Sequence, residues 1–484
     1  MDVQESNGEV LQINKSHKRI ASFDFFRGLS IWFMTLMHTF EHLYDYTWVK
    51  ENPEKILELP IPLLIIGLVL GFFLSWNSFF LLISAIVNSL TMTRRAREEA
   101  EPKRILAKQT MSGVGILLAG VFADNLGYWG YFGQALLTGN WRDTYPLWAR
   151  FFAMHTLQII GWSMIITGIV QYFLLRKNGF EKFIRNIIIC SVIIVAILVS
   201  STFIQNWVDG LPWEIPINPP VGLSDNTKWP SIYFQAQNAS LLAWFMTIMA
   251  GDMIPLFPYL ATAFLGIMIG MVLARPKPVK RLPLIGGLSS LGLMGLGGIL
   301  AAFGFYNLSN ARPTIGNYLL ITGGQLAFTF LFLCLIEYRG NGKKFAQSKI
   351  VSHFRLWGMA SLTIYCLQIF EILPRFLLTR ILRPFRSDLN LLNSSVFGYG
   401  QEHYALLVGL FSIMFFELLI FLWSKLNFKF GFEWFVIRFS SIGSRYVSSR
   451  LNVDLIMNKV YWVNYKEILL ESELQTKSLP LDAL

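Results

Sequence analysis

Apolar runs of about 20 residues, separated by short charged or aromatic-rich connections, follow one another from residue 25 to residue 424. A run of that length with few charges can cross the hydrocarbon core of a bilayer as an α-helix. The candidate spans are 25–46, 58–93, 106–125, 149–175, 184–206, 254–274, 283–306, 315–337, 356–374 and 404–424. The second is too long for one crossing. Pro60, Pro62 and the polar Ser75-Trp76-Asn77 divide it into a short interfacial or re-entrant piece and a span at about 74–93. The pattern therefore predicts an all-α, polytopic transmembrane bundle of 10–11 spans.

The charges between the runs set an orientation. Arg94, Arg95 and Arg97 follow the second span, Arg176 and Lys177 the fourth, Arg275 and Lys277 the sixth, Arg339 and Lys343 the eighth, and Lys425 and Lys429 the tenth. Lys and Arg in short loops mark the cytoplasmic side, so both termini are expected there. The segment 375–403 breaks the rule, with Arg375, Arg380, Arg383 and Arg386 on the outer side. Either it is an interfacial helix with snorkelling arginines or a span is misplaced nearby. The chain divides into a polar N-terminus (1–19), one membrane domain (20–430) and a basic, amphipathic tail (431–484) expected on the cytoplasmic surface. Three of the four Asn-x-Ser sequons, at Asn238, Asn307 and Asn393, fall on loops expected to be outer.

Composition agrees with lipid as the solvent. Hydrophobic residues make up 54% of the 484 and charged residues 15%, against roughly a quarter charged in an average soluble chain. The net charge of +11 belongs to the inner loops, and no basic stretch interleaves with stacking aromatics as a nucleic-acid groove needs. Cys190, Cys334 and Cys366 all lie inside apolar runs and read as packing residues. No cleavable leader is expected after the polar first 19 residues. The phosphate loop, the His-Glu-x-x-His zinc motif and the Gly-x-Ser-x-Gly elbow are all absent, so pumps and hydrolases of those types find no support.

Ionisable groups inside spans are costly and point to function. The first span concentrates them: Asp24 and Arg27 at its inner start, then His38, Glu41, His42 and Asp45 near its outer end. Asp24 and Arg27, three residues apart, read most simply as an ion pair. His38, His42 and Asp45 follow at i, i+4 and i+7 and would share one face. Three readings stay open for that face. A histidine oriented by a carboxylate is a general base, two histidines one turn apart can hold a metal, and paired polar groups can simply finish an interfacial helix. No third ligand is evident, so no metal is expected. Asp124, Asn125, His155, Gln158, Asp252, Gln368 and Glu371 sit near the outer ends of other spans. Together they suggest one polar cavity opening outward.

Five of these segments resemble the heparan-α-glucosaminide N-acetyltransferase family and its prokaryotic relatives. RIASFDFFRGLSIWFMTLMH carries the Asp-x-x-Arg-Gly signature (Asp24, Arg27, Gly28) followed by Met37 and His38. RFFAMHTLQIIGW, DMIPLFPYLATAFLGIMIG and GMASLTIYCLQ are similar to later family elements, and FKFGFEWFVIRF to the C-terminal element of a related bacterial membrane family. They occur in the family order between residues 19 and 440. The resemblance implies a membrane acyltransferase that carries an acyl group, acetyl first of all, from cytoplasmic acyl-CoA to a glycan or glycolipid outside, with a histidine as base or acetyl carrier. The candidates for that role are His38, His42 and His155, with Asp24 and Arg27 from the signature and the remaining polar residues binding substrate. The chain departs from the family in two places: the loop 207–252 contains no histidine, and Gln368 stands where several relatives have one. A transporter or flippase without catalysis is the competing reading. The expected setting is a prokaryotic plasma membrane, or a lysosomal one if the source is eukaryotic, and a homodimer is compatible with either.

Overall fold

The computed structural model describes residues 18–74, 77–98, 101–127, 131–139, 141, 154–211, 240–251, 254–305, 312–440 and 452–477. Among these the chain is mostly helical, and no strand occurs beyond two isolated bridges. The main helices are α1 (Ala21–Leu43), α2 (Ile61–Leu74), α3 (Asn77–Arg97), α4 (Pro102–Leu126), α5 (Thr156–Leu175), α6 (Phe183–Asp209), α7 (Leu256–Leu273), α8 (Leu282–Ala302) and α9 (Ile315–Leu335). They continue as α10 (Lys349–Met359), α11 (Ser361–Cys366), α12 (Ile372–Leu382), α13 (Glu402–Ser424), α14 (Phe432–Ser440) and α15 (Tyr465–Lys477).

Seven of them, α4 to α9 and α13, are long and apolar enough to cross a membrane among the described residues, and the bent pair α2–α3 makes an eighth if it is one span. The outward faces explain why water cannot be their solvent. On α6, Ile184, Ile188, Val192, Val195, Val199 and Phe203 recur at helical spacing and all are exposed. A contiguous apolar stripe of that length marks a lipid-facing surface. α7 is the opposite case: most of it is buried, against α3, α5 and α6, at the centre of the bundle.

The Pro60/Pro62 and Ser75-Trp76-Asn77 signals do divide the second run. α2 and α3 meet at a 47° bend; Ser75 and Trp76 lie outside the described residues. α2 rests on the bundle through its last turn, where Phe73 stacks on Phe33 of α1 at 3.7 Å between ring centroids. The rest of the helix exposes Ile61, Ile65 and Val69. The ninth run is divided too. It runs as α10, α11, a 3-10 turn at Gln368–Glu371 and α12, with breaks at Ala360 and Leu367.

Contacts between helix ends define two faces. On one, Arg94 donates to the Lys18 carbonyl at 2.8 Å, Arg97 to that of Ala274 at 2.5 Å, and Tyr465 to that of Leu273 at 3.1 Å. α1 begins here without a side-chain cap of its own. Glu337, just past α9, supplies one: its carboxylate accepts from the Ser22 backbone N–H at 2.9 Å and from the Ser22 hydroxyl at 3.1 Å. Burial pushes this carboxyl up to about 7, with the Ser22 bonds pulling the other way. On the opposite face, Asp209 pairs with Arg312 at 2.8 Å, and Tyr44 donates to Glu402 at 2.5 Å. The tail is not separate from the bundle. α14 packs along α4, with Phe432 against Phe122 at 5.0 Å, and residues 461–465 thread between Arg19 and Glu337.

Candidate functional site

Two helices cross at the start of α1 more closely than side chains allow. A Cβ added to Gly28 would lie 1.5 Å from the Phe354 carbonyl oxygen of α10, and one added to Gly358 would lie 3.1 Å from Asp24 O and Gly28 N. Small residues permit this approach, as they do wherever membrane helices pack backbone to backbone. The crossing delivers Ser361 to Arg27, whose guanidinium donates to the hydroxyl at 3.2 Å.

The break at Ala360 leaves the first N–H groups of α11 without intrahelical partners. In a lipid setting such groups must be satisfied from inside the protein. Glu433 of α14 does so, accepting from Leu362 N, Thr363 N and the Thr363 hydroxyl, while Thr363 accepts from Phe432 N at 2.7 Å. Burial raises the Glu433 carboxyl, and these bonds together with the field of Arg27 oppose the rise. Asp24-x-x-Arg-Gly, Gly-Met-Ala-Ser-Leu and Gly-Phe-Glu, far apart in sequence, thus meet at one place. The expected Asp24–Arg27 ion pair does not form. Asp24 pairs with Arg19 at 2.7 Å, because Arg27 is drawn across to α11.

At the other end of α1 the histidines separate in role. Arg375 is fully buried and donates to the Leu391 carbonyl at 2.6 Å, the Asn393 carbonyl at 3.0 Å and Nδ1 of His42 at 3.1 Å. A guanidinium has no lone pair to offer, so this His42 nitrogen is an acceptor and the ring is committed to the guanidinium. Among the arginines of 375–403, Arg375 thus finds its partners inside the protein. Arg375 holds the returning segment, whose Ser395 and Phe397 N–H groups bond the His42 and Leu43 carbonyls at 2.9 Å each. Arg380 lies over the Phe376 ring and Arg386 pairs with Asp388 at the surface. Replacing Arg375 with Met would leave the two carbonyls and the His42 nitrogen unanswered. At about 1–3 kcal/mol per buried unsatisfied group, we expect roughly 3 kcal/mol of destabilisation, read as a lower thermal midpoint of the purified protein.

Asp45 does not share the histidine face. α1 ends at Leu43, and Asp45 sits on an exposed turn. There the Thr47 N–H and hydroxyl bond its carboxylate at 3.0 and 2.8 Å and hold it below the usual carboxylate range. His38 and Glu41 are half-buried on α1, about one turn inward of His42 and Asp45. Among the described residues no group of three His, Cys, Asp or Glu side chains could hold a metal ion.

The remaining candidates form a second polar group between α4, α5 and α11. Asp124 accepts from the Gln158 amide, and Tyr365 hydrogen-bonds Thr156 and lies in the field of Asp124. Asn125 bonds back to the Val121 carbonyl at 2.9 Å, and His155 begins α5 beside Thr156. Gln368 and Glu371 occupy the 3-10 turn that leads from Tyr365 to Arg375, the partner of His42. Asp252 lies outside the described residues. The single outward cavity read from the sequence is thus two polar groups joined by one irregular segment. Tyr365 and Glu433 stood in the sequence only as members of the resembling segments, and Arg375 only as a charge out of place; Glu402 carried no signal. No protein-family model matches this chain, and no curated protein matches it either.

Proposed function

We propose that this protein is a membrane acyltransferase that moves an acyl group, acetyl first of all, from cytoplasmic acyl-CoA to a sugar or glycolipid on the outer side. One observation carries the reading. Two segments that resemble the acyltransferase family and one that resembles a related bacterial membrane family converge in space, through Gly358 on Gly28, Arg27 on Ser361, and Glu433 on Thr363. A chance resemblance gives no reason for distant motifs to touch.

The topology we propose has ten crossings with both termini inside. α1 and the divided element α10–α12 supply the two that length and composition alone do not select. The face that joins Lys18, Arg94, Arg97 and Glu337 carries the basic loops, which supports its cytoplasmic placement. CoA phosphates would be held on that face. In the proposed chemistry His38 takes the proton from the acceptor amine or hydroxyl as that atom attacks the thioester carbonyl. The tetrahedral intermediate collapses with loss of CoA thiolate, which receives the proton. His42, held by Arg375, fixes the helix end beside it.

A specific observation also favours transport. Two divided elements, α2–α3 and α10–α12, both lie against α1, and broken helices of this kind build substrate sites in transporters. The test separates the readings. Purified protein with radiolabelled acetyl-CoA and a panel of amino sugars and glycolipids is expected to yield labelled acceptor. Acetyl-CoA that is neither bound nor consumed would leave the transporter reading in its place.

A further inference from the structure

We propose that the basic face carries a site for an anionic phospholipid of the adjacent leaflet. A cavity of about 410 Å³ opens there between the start of α8, the end of α9 and α15. Of its ten lining residues four are cations, Lys280, Arg281, Arg339 and Lys466, and none is acidic. The wall beneath them is apolar, with Leu284 on one side and Leu470 on the other. Cationic heads over an apolar wall match a phosphate diester attached to acyl chains.

The choice between a lipid and a soluble phosphate rests on what lies next to the cavity. Leu284 belongs both to its wall and to an exposed stripe on α8 that continues through Leu288 and Leu291 at i+4 and i+7. That stripe faces lipid and gives acyl chains a track leading directly from the cations. A water-soluble phosphate has no use for it. α15 closes the far side, so bound lipid would also fasten the C-terminal tail, already tied to α9 by Tyr465 N to Glu337 O at 3.1 Å, onto the bundle. The site does not depend on acyl transfer.

Full-length protein would be incubated in detergent with equal phosphatidylglycerol and phosphatidylcholine of the same chains, and retained lipid counted by native mass spectrometry. The native chain is expected to keep phosphatidylglycerol preferentially. Loss should be roughly fivefold for Arg339→Gln alone and about a hundredfold for Arg281→Gln, Arg339→Gln and Lys466→Gln together. Leu284→Trp, which fills the wall without touching charge, should weaken retention as well, and Arg339→Gln keeps the test decisive if the triple variant does not fold. Equal retention of the two lipids by the native chain would overturn the proposal. So would CoA or inorganic phosphate binding that the triple variant loses while phosphatidylglycerol is still retained, since the cavity would then serve a soluble phosphate.

Discussion

Gly28→Ala is expected to cost about 3 kcal/mol or more, a large part of the roughly 5–15 kcal/mol that holds a native fold, and so to lower the thermal midpoint of the purified protein clearly. The reason is positional. A new Cβ would sit 1.5 Å from the Phe354 carbonyl oxygen, and that oxygen is backbone, so no rotamer change relieves the clash. α10 would have to move bodily, taking Ser361 away from Arg27 and α11 away from Glu433. Gly287→Ala is the matched control: it also adds one methyl group to a helix, but nothing lies within 4 Å of the new Cβ. Its thermal midpoint should stay near that of the native protein. Equal effects of the two substitutions would mean that the α1–α10 crossing is not as close as described.

His38→Ala is expected to lower acetyl transfer by about 10²- to 10⁴-fold, the usual loss for a general base, with little change in stability. His42→Ala should do the reverse, lowering the thermal midpoint and reducing turnover only as far as the end of α1 is disturbed. The difference follows from their neighbours. His42 is engaged by Arg375, whereas His38 is half-buried and has no such anchor described. Full activity in His38→Ala would remove it from the mechanism.

The helical architecture was legible from hydropathy because apolar runs and proline breaks are local signals. The 47° bend between α2 and α3 falls where Ser75-Trp76-Asn77 interrupts the run. The site was legible only in part. Asp24 and Arg27 looked like partners because they lie one turn apart, yet each found a partner that its own helix could not reveal, Arg19 before it and Ser361 across it. Asp45 was placed on the histidine face because periodicity cannot tell where a helix stops; the bond from Asp45 N to the Phe397 carbonyl and the turn to Thr47 end it at Leu43. Arg375 stood out only as a cation on the side expected to be outer, which left an interfacial helix and a misplaced span both open. Its carbonyl partners come from a segment 16 and 18 residues further on.

Sidedness tests the central claim most directly. Proteoliposomes of uniform orientation would hold labelled acetyl-CoA on the basic face and acceptor only on the other. The account predicts labelled acceptor on the far side, in proportion to the CoA released on the near side and abolished by His38→Ala. Acceptor acetylated only when mixed with acetyl-CoA on one side, or carried across unlabelled, would contradict it.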